Sequence, residues 1–245
     1  MILRRVIAHF RKQEWTAIAI DFLIVVGGVF MGVQVNGWWA NRSDAEREAA
    51  YLAALRQDFG EIIAELEDDS SEYTKIADAM SLLLEQSRKA TPDAPVETLN
   101  AAAALLIRME GTPIVSGTYA NLTGSGDLSI IKSQTLKIAL SSFYGEAKVI
   151  DLVGVTHEMQ LVNVFQPYII ANLDYPGMLP STRGVAPVAA FDPNLILTAM
   201  PTQEFRNVVA VKWDITTDIR NLLQNMLAEA REVQSLLHAE IEKKS

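Results

Sequence analysis

The sequence predicts an all-α fold: a single transmembrane helix, then an antiparallel helical bundle with long coiled-coil-like helices and one Pro-rich loop. Three observations predict it. Residues 16–38 form an apolar run whose only charge is Asp21. Three later segments space their apolar residues alternately three and four apart, as on a helix with one buried stripe. No stretch alternates apolar and polar residues as a half-buried strand would, and no repeat of fixed period is present.

Residues 16–38 would extend roughly 35 Å as a helix, enough to cross a hydrocarbon core of about 30 Å. Arg4, Arg5, Arg11 and Lys12 precede the run, and Trp15, Trp38 and Trp39 bracket it at the expected membrane interfaces. A cleaved signal peptide would have a shorter apolar core and small residues at the cut; Trp38-Trp39-Ala40 does not offer them. The basic flank therefore predicts a cytoplasmic tail (1–15), an anchor (16–39) and a periplasmic helical domain (40–245) at a bacterial inner membrane. Ala17, Asp21, Gly28, Gly32 and Asn36 fall on one stripe of the anchor, with Val25 among them. Gly28 and Gly32 form a Gly-x-x-x-Gly pair that admits a second helix closely. A carboxylate inside a bilayer is costly, and no cation lies within four residues of Asp21 on the helix. Protonation, a reach to the interface or a partner helix must satisfy it.

Beyond the anchor, Ser43 or Asp44 reads as an N-cap. Leu52, Leu55, Phe59, Ile62, Leu66, Tyr73, Ile76, Met80 and Leu83 follow as a seam broken by Asp69, in a helix continuing from the anchor and ending near Arg88 before Pro92. A shorter helix is predicted over 96–109, stopped by Gly111 and Pro113, then one or two helical turns over 116–131. A long helix begins near Ser133 with its seam at Leu136, Leu140, Phe143, Ala147, Ile150, Gly154, His157, Leu161, Val164 and Tyr168, and Pro167 kinks its end. Five prolines punctuate 174–202, too long for an ordinary connection. A final helix over 203–243 carries Ile219, Leu223, Met226, Ala230, Val233 and Leu237.

Composition narrows the chemistry. The chain has no cysteine, which excludes disulfides and thiol catalysis. Four of its 21 basic residues and two of its 30 acidic ones precede residue 40, leaving 17 against 28 and a net −11 for residues 40–245. Such a surface repels phosphate backbones, so no nucleic-acid partner is expected. His157-Glu158 opens like a zinc-protease helix, but Leu161 stands where the second histidine belongs. Gly124-Ser-Gly126 lacks the Lys-Ser/Thr of a phosphate loop and reads as a turn or helix cap. No catalytic residue, metal ligand or cofactor site is assigned. His157 at a seam position and Asp69 at the seam break are a candidate buried polar pair, against a core histidine bonded to some carbonyl.

Two motifs carry a resemblance. One is the 10–38 stretch, with Asp21, a Val/Gly-rich span, then Gln34, Asn36 and Trp38; the other sets Tyr119, Leu122, Ser125, Gly126 and Leu128 as Tyr-x-x-Leu-x-x-Ser-Gly-x-Leu. The chain resembles a family of uncharacterised bacterial membrane proteins catalogued only as a domain of unknown function. That family has Asn after its last Trp, where this chain has Trp39. The resemblance covers the first half of the chain and implies a single-pass inner-membrane protein, with no reaction.

The expectation is thus a non-enzymatic interaction or scaffold protein. It would be an accessory subunit of a larger membrane complex, held to other subunits or to itself through the anchor, with the lipid bilayer around it. The alternative is a periplasmic ligand-sensing helical domain signalling through a partner, since bundles bind small molecules between helices.

Overall fold

The computed structural model describes residues 15–111, 114, 116–178 and 192–244, with side chains from Phe22 onward except Ala40. Every regular element among them is helical. They are α1 (Trp15–Gln86), α2 (Val96–Ala104) with a 3₁₀ turn at Leu105–Ile107, and α3 (Gly117–Gly124) with a 3₁₀ turn at Asp127–Ile130. Then come α4 (Gln134–Gln160), a π-helical turn (Leu161–Phe165), α5 (Gln166–Asn172), α6 (Tyr175–Met178), α7 (Leu195–Ala199) and α8 (Gln203–Glu242). The chain divides into two compact units, Met1–Tyr51 and Leu52–Ser245; each is described by itself.

In the first unit α1 is one helix long and apolar enough to cross a membrane. Its large side chains from Phe22 to Trp39 are all exposed, from 46% at Val26 to 71% at Met31. The helix passes through Ser43 and Asp44 without a break, so neither is the expected N-cap. A serine or aspartate caps only where the preceding backbone leaves the helix, and here it does not.

In the second unit the 3–4 seams meet as a helical bundle. All nine seam residues from Leu52 to Leu83 are buried. Phe59 on α1 packs on Phe143 of α4 with ring centroids 5.0 Å apart, and Tyr73 lies 6.3 Å from His157. Both pairs differ by 84 residues, so α1 and α4 run parallel and in step. α8 runs against both. Trp213 Nε1 donates to Ser81 Oγ at 2.8 Å and Arg231 pairs with Glu67 at 2.6 Å, while Lys212 meets His157 and Glu240 bonds Ser133. Arg206 Nη2 donates to Ser87 O at 2.9 Å, joining the end of α1 to the start of α8.

Side-chain caps set the ends. Ser133 Oγ accepts from Leu136 N and Thr202 Oγ1 from Phe205 N, opening α4 and α8. Past α1, Gln86 Oε1 accepts from Asp93 N at 2.9 Å and Ala94 N at 3.3 Å, folding the Pro-containing link back on the helix.

The end of α4 departs from the sequence reading. Pro167 has no N–H to close on Asn163 O, and the helix widens to a π turn over Leu161–Phe165. That wider turn moves the seam by one residue: Phe165 is fully buried and Val164 is 41% exposed, the reverse of the expected placement. The 174–202 segment is also partly helical, through α6 and α7. Asp174 Oδ2 accepts from Asp192 N at 3.3 Å, closing its neck; its residues 179–191, like the tail at 1–14, lie outside the described residues.

Because Phe143 is fully buried against both Phe59 and Tyr144, Phe143→Ala should cost about 3–5 kcal/mol, read as a lower urea midpoint for the detergent-solubilised chain. Gly154 is the opposite case. A Cβ there would meet only Met109 Cε at 4.0 Å, so Gly154→Ala should stabilise α4 by up to about 1 kcal/mol.

Candidate functional site

One seam position of α8 is charged. The apolar rhythm Phe205, Val209, Ile219, Leu223 is completed by Lys212 and Thr216, and all six are buried. With no route to solvent, the Lys212 ammonium must find its partners inside. Its Nζ donates to Arg108 O at 2.8 Å and faces His157 Nε2 at 2.8 Å, and it lies 5.2 Å above the Phe165 ring. Three elements build this site: α8 carries the lysine, the strand of chain after the Leu105–Ile107 turn supplies the carbonyl, and the α4 end with its π turn supplies imidazole and ring.

Next to it, Tyr73 OH donates to Glu110 O at 2.5 Å, and the Arg108 guanidinium pairs with the Glu110 carboxylate. Burial pushes the Tyr73 phenol up to about 12. Burial also brings Lys212 down to about 7. His157 falls to about 4, first through burial and then through the neighbouring ammonium. With Lys212 charged, Nε2 must be the acceptor and Nδ1 holds the imidazole proton. Nδ1 has no hydrogen-bond partner.

Tyr73 and Glu110 also wall a cavity of about 370 Å³ between α1, α4 and α8, lined mainly by apolar residues such as Leu66, Ile150, Ile219 and Leu223. That volume is within the range of small-molecule sites. Among the described residues no group of three or more His, Asp or Glu is placed to hold a metal ion.

The candidate pair of Asp69 and His157 is not formed. His157 Nε2 faces Lys212 and Nδ1 faces no partner. The reason is register: an offset of 84 puts Tyr73 beside His157, and Asp69 one turn earlier at the level of Val153. Both residues are buried nonetheless, and Asp69 lines the cavity. Lys212 escaped the sequence reading, although its seam spacing marked it.

On the anchor stripe, Gly28 and Gly32 have nothing within 4 Å of an added Cβ, and Asn36 is exposed. Trp38 and Trp39 pack edge to face at 5.4 Å, with the Arg42 guanidinium 5.9 Å from the Trp38 ring. Trp15, Ala17 and Asp21 are helical, with side chains outside the described set. The second motif folds as a cap. Ser116 Oγ accepts from Tyr119 N and donates to Asp58, Tyr119 stacks on Tyr144 at 4.0 Å, Leu122 is fully buried, and Gly126 takes a left-handed φ of 77°.

No protein-family model, curated protein or solved structure matches the chain.

The buried lysine fixes a pH dependence. Its native pKa of about 7 is below the ordinary 10.5, so between those values the unfolded chain binds more protons and stability rises with pH. Wild-type urea midpoints should therefore climb from pH 7 to about 9.5, and Lys212→Met should flatten that climb.

Proposed function

We propose that the chain is a membrane-anchored, non-enzymatic interaction protein, an accessory subunit whose bundle faces the periplasm and meets other subunits of a larger membrane complex. The observation that carries this reading is the apolar helix of 22–39, whose large side chains are all exposed in its unit. Water would disfavour so much continuous apolar surface, whereas lipid and a partner helix would not. The Trp38–Trp39 pair with Arg42 beside it supplies the aromatic and basic edge suited to an interface. The basic residues before the helix favour a cytoplasmic N-terminus. The two quoted motifs support placing the chain with the domain-of-unknown-function family it resembles.

A second apolar surface supports contact beyond the membrane. Val149, Leu152, Val155, Met159 and Val162 recur at helical spacing along α4 and its π turn, each 51–67% exposed. Contiguous patches of this kind mark protein contacts more often than bare solvent faces. Ligand sensing remains the second reading, and the cavity beside Tyr73 favours it.

After alkaline extraction the full chain should stay in the membrane pellet, and a phosphatase fused to its C-terminus should be active; a freely soluble chain would refute the anchor. Leu152→Asp with Met159→Asp should leave helical content unchanged but strip co-purifying subunits in mild detergent. Retention of the same partners by the double variant would remove the α4 face from the interface.

A further inference from the structure

The Lys212–His157 contact is unusual in what surrounds it. Two cationisable nitrogens stand 2.8 Å apart, on residues 0% and 1% exposed. Among the described residues, the titratable and charged groups around them and the adjoining cavity are Tyr73 on α1, with Asp69 a turn away, the Arg108–Glu110 pair in the segment after α2, and Asp151 and Glu158 on α4. The π turn offers only the Phe165 ring. Among the described residues neither nitrogen has a carboxylate within ion-pair distance. The site therefore accommodates one positive charge. A second would set two like charges in contact in a buried core, with no carboxylate among the described residues close enough to pair with either.

The segment most exposed to that conflict is 105–111. Lys212 holds it through Arg108 O and Tyr73 through Glu110 O. Its far end is Gly111, whose φ of 154° suits glycine alone. Met109, Glu110 and Gly111 wall one side of the cavity.

We propose that Lys212 and His157 form an acid-triggered latch: with at most one charge between them they clamp the 105–111 segment against α8, and protonation of both releases it and opens the cavity wall. The direction follows from linkage. His157 in the closed site takes a proton only near pH 4, against 6.5 when free, so the open form gains protons first as pH falls through 6.5. The His157 share of closed-state stability is accordingly present above 6.5 and lost as pH falls from there toward 4, below the range in which Lys212 acts. The latch stands independently of the interaction role.

The test is deuterium exchange of the full-length protein in detergent micelles at pH 7.5 and 5.0, corrected for intrinsic exchange rates. In wild type, exchange over 105–111 should rise by about tenfold or more at the lower pH relative to the 223–237 core of α8. His157→Gln keeps an acceptor facing Lys212 but cannot take the second proton, and its rise should stay below about threefold. Lys212→Met removes the donor that holds Arg108 O, so exchange over 105–111 should already be fast at pH 7.5 and its rise at pH 5.0 should stay below about threefold; it decides the matter if His157→Gln does not fold. No rise in wild type, or a rise of equal size in the folded variants, overturns the latch.

Discussion

The register between α1 and α4 is the constraint on which the bundle depends. Phe59 meets Phe143, and fourteen residues on, Tyr73 meets His157, so the helices stay in step over roughly 21 Å. A slip of one residue on either helix would rotate its seam by about 100° and carry the apolar stripe out of the core. With the two parallel helices locked, α8 can lie antiparallel to both, and its charged seam position has one place to go. The height of Lys212 beside His157 follows from that geometry.

The seams themselves were legible. Every seam residue named from Leu52 to Leu83, and from Ile219 to Leu237, is buried, because a 3–4 spacing on a long helix leaves one stripe for the core to cover. What spacing does not encode is which stripe residues face each other. Spacing therefore leaves Asp69, at the break of its seam, as a candidate partner for His157, where the structure sets Tyr73 and Lys212. Spacing also assumes a constant twist. The π turn before Pro167 breaks that assumption: Val164 is exposed and Phe165 is buried in its place, while Ile150 and Gly154 further up the seam are half-buried. Ser43 failed for a different reason: cap-forming residues within a continuous helix simply point to solvent.

The second motif has a structural account that needs no ligand. Tyr119 and Tyr144 stack, Leu122 plugs the core, and Gly126 supplies the left-handed residue that ends α3. Ser116 links this cap to Asp58 on α1. Burial pushes the Tyr144 phenol up to about 12, even though Ser116 lies within hydrogen-bond reach. The motif thus fastens a small helix across two large ones, close to the Phe59–Phe143 contact from which the register is set.

Lys212 stands apart from this economy. Its seam neighbours are Val209 and Thr216, whose hydroxyl bonds back to Lys212 O at 2.6 Å, and a methionine of similar length would fit between them without burying an ammonium. Replacing a buried ionic group by a well-packed apolar one is often neutral or stabilising, so packing alone gives no reason for lysine at this position. Its partners are a backbone carbonyl and an imidazole, neither of which carries compensating charge. A site whose occupancy by protons matters would account for all three. Its position at the junction of α8, the α4 end and the cavity wall sets that charge against the π turn and the segment that follows the Leu105–Ile107 turn.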